Sequence, residues 1–177
     1  MKRYKEQQPQ KVADYLQEIE QIPKDKIACV DETGVDSYLH RECCWSPRGQ
    51  KIIGQIAGKK HRRVGIVAAR VGEEIIAPLQ YDGTMNSLLF EAWFEISLMS
   101  ELAGGSAIVM DNAAFHRKAK LAEIAQKHGH RVIFLPPYSP ELNPIENFWA
   151  WLKAKLRKVL AEFPDFDAAI RYCFSLI

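Results

Sequence analysis

The alternation of apolar and polar positions divides the chain into a short leading helix and a mixed α/β body. Val12, Tyr15, Leu16 and Ile19 recur at helical spacing and predict an amphipathic helix over residues 8–21, ended by Ile22-Pro23-Lys24. Residues 27–30 form an unbroken apolar run that ends on Asp31, and residues 107–110 form another that ends on Asp111. Runs without polar alternation are expected of strands covered on both faces. Between them, Gly34 permits a turn. β-branched segments over 37–45, 63–70 and 74–80 then sit between glycine-containing breaks and read as antiparallel strands. A helix is predicted over 86–102, with Asn86 as its cap and Leu89, Ala92, Trp93, Ile96 and Met99 facing inward. Another is predicted over 117–127, with Leu121, Ile124 and Ala125 inward. A last strand over 131–135 and a terminal helix over 166–177 complete the pattern.

The segment joining that strand to the next helix is the most constrained part of the chain. Pro136, Pro137, Pro140 and Pro144 exclude regular structure up to Asn143. Asn143 is a good N-cap and Pro144 suits a first helical position, so a helix starts here with Glu146 in its first turn. Phe148, Trp149, Leu152, Leu156 and Val159 make its apolar face, while Glu146, Ala150, Lys153 and Arg157 share another. The order of elements is that of an α/β sheet layered by helices and mixed in direction. Helical crossovers make the strands ending at Asp31, Asp111 and Leu135 parallel.

At 177 residues and 47% hydrophobic, the chain has core enough for one domain, residues 27–177, preceded by a linker or docking helix in 1–26. A net charge of +2 does not by itself announce a nucleic-acid binder. The distribution says more: Lys59, Lys60, Arg62 and Arg63 flank His61, and Lys153, Lys155, Arg157 and Lys158 crowd one helix. Cys29, Cys43, Cys44 and Cys173 do not make a disulfide framework, and His40, Cys43 and Cys44 lack a second pair at zinc-ligand spacing. No signal-peptide core and no run of membrane-spanning length is present, so the expectation is a soluble, reduced, cytoplasmic and nucleoid-associated protein with no membrane partner.

Singly, Asp31 and Asp111 read as turn formers or caps, and Glu146 as the acid of a capping box. Together they read differently. Two aspartates at the carboxyl edge of adjacent parallel strands lie where α/β sheets bind ligands, and their like charges need a counter-ion. Mg²⁺ or Mn²⁺ needs only one or two carboxylates per ion plus substrate phosphate. Asp31 bridging two ions, with Asp111 on one and Glu146 on the other, would make a two-metal clamp for in-line phosphoryl displacement. Glu32 should point to the opposite face of its strand, as a hydrogen-bonding group. Asn112 and His116 are candidates for phosphate contact or for local capping of the next helix. Lys153 and Arg157 could follow a DNA backbone away from the metals, and Lys59, Lys60, Arg62 and Arg63 form a second candidate phosphate patch; neither reads bases.

Three motifs carry a family resemblance: Val30-Asp31-Glu32-Thr33-Gly34, Met110-Asp111-Asn112-Ala113-Ala114-Phe115-His116, and Pro136-Pro137-Tyr138-Ser139-Pro140-Glu141-Leu142-Asn143-Pro144-Ile145-Glu146. In order and spacing, with 34 residues between Asp111 and Glu146, they resemble the catalytic core of mariner-like DDE transposases, in particular the branch encoded by bacterial insertion sequences. The resemblance covers residues 27–160. It implies an RNase H-like fold, antiparallel in its first three strands and then parallel. It also implies two Mg²⁺ or Mn²⁺ ions on Asp31, Asp111 and Glu146, and cleavage and strand transfer on double-stranded transposon ends and target DNA by a homodimer or higher assembly. Family members carry helix-turn-helix domains ahead of this core, whereas only a short helix precedes it here. Recognition of specific ends is therefore expected to need a module outside this sequence. Two other readings are another RNase H-like nuclease, acting on hybrid or branched substrates, and a catalytically inactive remnant that binds DNA without cutting.

Overall fold

The computed structural model describes residues 5–38, 45–51, 53, 58 and 62–177. Helix α1 (Pro9–Glu20) leads into strand β1 (Ile27–Asp36), which pairs antiparallel with β2 (Arg63–Val71), itself antiparallel to β3 (Glu74–Asp82). On its other side β1 pairs parallel with β4 (Ala107–Met110), and β4 pairs parallel with β5 (Arg131–Phe134). The sheet order is β3-β2-β1-β4-β5, the mixed RNase H-like arrangement expected from the motif order. Among the described residues no helix is long and apolar enough to cross a membrane.

Alternation along the strands sends successive side chains to two differently covered faces. Val30, Val67, Ala69, Ile108 and Met110 pack under α2 (Ser87–Trp93) and α4 (Lys118–Lys127), around Phe90, Phe94 and Leu121. On the opposite face Val35, Val64, Ile66 and Ala68 meet α5 (Ile145–Val159) and α6 (Phe166–Phe174) through Ile145, Trp149, Leu152 and Ile170. Helix α1 covers the rest of that face, placing Tyr15 and Ile22 against Cys29, Val109 and Leu135.

Three expectations are corrected. Gly34 does not turn the chain. Strand β1 runs unbroken through it to Asp36, and a Cβ at Gly34 would collide with the Arg63 guanidinium from β2, so this glycine answers a cross-strand approach. Of the strand expected over 37–45, the described residues Ser37, Tyr38 and Trp45 are not in a strand, and 39–44 lie outside the described residues. The helix expected over 86–102 is capped by Asn86, whose side chain accepts from the Leu89 amide, but it widens into a π turn at Phe94–Leu98 before α3 (Met99–Glu101). The wider turn rotates the helical register, so Ile96, expected inward, is 73% exposed while Phe94 and Leu98 are buried.

Candidate active site

Strand β4 stops at Met110 while its neighbour β1 continues, and this step in the sheet opens a cleft of about 560 Å³. Asp31, Asp111 and Glu146 all line it. Asp31 is not at a strand end as expected but in the middle of β1, opposite Ala68 of β2 and just past the last β1–β4 pair, Cys29 with Val109. Alternation puts Asp31 on the face covered by α5, and the first turn of α5 carries Glu146 to the same cleft.

The start of α5 is held by long-range bonds. Asn143 does not cap the helix, and the cap position is Pro144. The Asn143 amide instead donates to the Val30 carbonyl at 3.1 Å, next to Asp31, and Arg70 donates to the Pro144 carbonyl at 2.9 Å. These two bonds pin the Glu146-bearing turn to β1 and β2. One turn further on, the buried Trp149 indole N–H donates to Asp31 Oδ2 at 3.0 Å. Tandem prolines and α1 hold the lead-in: Ser139 is buried, and its hydroxyl accepts from Gln7 Nε2 at 2.9 Å. Within this loop, Tyr138 lies at the cleft with a positive φ of 58°.

The electrostatics of the three acids differ. Burial, followed by the charge of Glu146, pushes the Asp31 carboxyl up to about 7, with Glu32 and Asp111 adding to the repulsion. Asp111 goes the other way: the hydrogen bond from His116 holds it below the usual carboxylate range. His116 is buried with its ring 4.4 Å from that of Phe90. Its Nδ1 lies 3.2 Å from Asp111 Oδ1 and its Nε2 3.4 Å from Glu32 Oε1. Burial works against the imidazolium, but the bonds to Asp111 and Glu32 outweigh it and push its pKa up to about 9. A protonated His116 is therefore a fixed cation beneath Asp111, and Glu32, on the face opposite Asp31, is its second anchor.

The donor set fits hard divalent cations. Among the described residues no three His, Cys, Asp or Glu side chains close into a ready-made cage. What the cleft offers instead is an open wall of carboxylates. Beside it, Asn143 Oδ1 is buried without a hydrogen-bond partner among the described residues. An orphaned buried carbonyl and a carboxylate that resists ionisation are both relieved by an oxygen-seeking cation.

The remaining site candidates are dispersed. Asn112 lines the cleft, donates to the Leu135 carbonyl at 2.6 Å and accepts from Lys118. Lys118, which the sequence did not single out, thus sits at the cleft rim with its ammonium 4.6 Å from the Phe134 ring centre. Arg62 bridges Asp82 at 3.2 Å and Asp167 at 2.6 Å, so a phosphate would have to compete for it. Arg63 packs over Gly34. On α5, Arg157 is exposed and Lys153 half-buried, on the face that begins at Glu146. Lys59, Lys60, His40, Cys43 and Cys44 lie outside the described residues. Trp149 and Arg70 had no local signal; each acts through a partner more than 70 residues away.

His116→Ala is expected to weaken Mn²⁺ binding by about 10- to 100-fold, the usual cost of losing a group that orients a metal ligand. Isothermal titration of the purified chain checks it.

Comparisons with known proteins agree with this geometry. A family model described as DDE superfamily endonuclease matches residues 26–170. An uncharacterised protein of Sinorhizobium fredii, y4pE/y4sA, is 30% identical over 114 residues, covering 62% of this chain and 76% of that protein. The mariner Mos1 paired-end complex with Mg superposes with a TM-score of 0.71 at 14% identity, over 94% of this chain and 52% of that one. The catalytic domain of Mos1 mariner transposase gives 0.63 at 13% identity, over 94% and 77%. This chain thus spans about half the length of the polypeptide in the Mos1 complex.

Proposed function

Because this chain belongs to the DDE superfamily endonucleases, we propose that it is the catalytic domain of a mariner-like transposase, which cuts and joins DNA strands at transposon ends with two Mg²⁺ or Mn²⁺ ions. The observation that carries the reading is the meeting of Asp31, Asp111 and Glu146 in one cleft, with Asp31 so placed that its charge needs a counter-ion.

Asp31, Asp111 and Glu146 hold the cations through carboxylate oxygens, and Asn143 Oδ1 adds a neutral oxygen at the edge of the set. When bound, a divalent pair supplies Lewis-acid assistance to the attacking and leaving oxygens of an in-line phosphoryl displacement. Trp149 fixes the rotamer of Asp31 by its N–H bond, and His116 fixes that of Asp111 while keeping it ionised. Lys118 adds a positive charge near the cleft for substrate phosphate. The DNA path follows the α5 face from Glu146 to Lys153 and Arg157, where cations offset the backbone charge. The Mos1 neighbours include a paired-end complex with Mg, which supports DNA ends as substrate, a divalent ion as cofactor and a homodimer or higher assembly as the working form.

The test is nicking of a supercoiled plasmid that carries the DNA flanking the coding sequence. Mg²⁺-dependent nicking by the wild type, absent with EDTA and with Glu146→Gln, is the expected result; nicking that survives the substitution would contradict the assignment.

A further inference from the structure

Tyr138 is an uncommon residue in an uncommon place. Its φ of 58° lies in the left-handed region, which a bulky side chain seldom adopts. It occupies the second middle position of a turn whose first middle position is Pro137, a position usually filled by glycine or asparagine. Glycine would adopt the same backbone without penalty. The side chain that is present instead is 56% exposed and lines the cleft of the three acids. The loop under it is stiff: Pro136 and Ser139 are buried, and the Ser139 hydroxyl donates to the Pro137 carbonyl at 3.3 Å. A strained residue at a functional cleft, held by an over-determined loop, is a candidate for substrate contact.

The chemistry of the cleft wall narrows the ligand. Carboxylates repel phosphate except through a cation, so a neutral group on this wall can contribute to DNA binding only through the bases or sugars. An aromatic face at a rigid position does this by stacking on a base, a contact that tolerates any sequence because every base has a π-face. A paired base inside a duplex hides its faces in the stack, so the base that Tyr138 can reach is unpaired. Resting on the transposase reading above, we propose that Tyr138 is a stacking platform for the unpaired nucleobase next to the phosphate being cut or joined, and that the strained turn aims its ring at that base.

The probe is a 16-base-pair duplex with a three-nucleotide single-stranded 3′ overhang, carrying 2-aminopurine at the first unpaired position. Binding to the full chain is measured with Ca²⁺ replacing Mg²⁺. The wild type, Tyr138→Phe and Tyr138→Trp are expected to quench the fluorophore, while Tyr138→Ala and Tyr138→Gly leave it bright and bind about five- to a hundredfold more weakly. Tyr138→Gly also relieves the backbone, so a melting temperature equal to or above wild type with binding lost assigns the effect to the ring. An abasic nucleotide at the probe position should cost the wild type as much as Tyr138→Ala does, and cost Tyr138→Ala nothing further. Equal quenching and affinity in wild type and Tyr138→Ala, where the wild type still nicks DNA, would overturn the stacking role and leave the transposase reading intact. A wild type that neither binds the probe nor nicks DNA would overturn both.

Discussion

Asp31→Asn is expected to reduce Mg²⁺-dependent nicking by on the order of 10³-fold or more, and at the same time to make the metal-free protein more stable near pH 8. The two effects share one cause. The carboxyl at position 31 is raised from 3.8 to about 7 by burial and by Glu146. A carboxyl whose folded pKa lies above its unfolded value stabilises the protein below about pH 4, and that contribution is lost as pH rises through 7. Above pH 7 the metal-free wild type therefore carries a buried charge facing Glu146 and Asp111. Asparagine removes that charge while its side-chain oxygen can still accept the Trp149 N–H bond. In thermal or urea melts with EDTA, the variant should gain on the order of 2 kcal/mol over wild type at pH 8 and little at pH 5, because wild-type Asp31 is already neutral there. Added Mg²⁺ should stabilise the wild type and leave the variant unchanged, since only ligands that bind the folded state shift the melt. A variant less stable than wild type at pH 8 would contradict this electrostatic reading.

The second large effect lies at Trp149, where the core and the site meet. Its side chain is 2% exposed within the cluster of Ile145, Leu152 and Ile170, and its N–H reaches Asp31. Trp149→Ala should cost about 3–5 kcal/mol, enough to threaten folding in a domain of ordinary stability. Trp149→Phe separates packing from hydrogen bonding. It keeps most of the buried ring at a cost of about 1–2 kcal/mol but removes the donor that favours ionised Asp31, so Mg²⁺ affinity should fall about tenfold while the protein stays folded. Chemical denaturation of both variants and metal titration of the folded one check this pair. A Trp149→Phe protein with wild-type metal affinity would show that the indole is only core.

The parts of this architecture that follow from local pattern were legible in the sequence, and the parts that depend on distant partners were not. Apolar runs at 27–30, 107–110 and 131–135 appear as β1, β4 and β5 because a strand buried on both faces leaves no alternative to its composition. The acids that follow two of them share a cleft with Glu146 because sheet order and the short proline lead-in leave α5 little choice of position. Gly34 was misread as a turn because its reason is the Arg63 guanidinium across the β1–β2 pair, which no local window contains. Asn143 has every local property of a cap, but Val30, 113 positions earlier, offers its amide a partner in the core. His116 lay within the second motif, yet its burial between Glu32 and Asp111 depends on two strands and on Phe90 of α2. Charge runs were the least informative signal, since Arg62 looked like a phosphate ligand and is engaged by Asp82 and Asp167.

The claim on which the rest depends is that the carboxylates of Asp31, Asp111 and Glu146 jointly bind divalent cations. Counting Mn²⁺ bound to the purified chain by electron paramagnetic resonance, with and without a short DNA duplex, tests it without relying on turnover. The account predicts saturable binding that rises to two ions per chain with DNA and vanishes in the Asp31→Asn, Asp111→Asn, Glu146→Gln triple variant, whose circular dichroism stays that of the wild type. Equal Mn²⁺ binding by wild type and triple variant would contradict it.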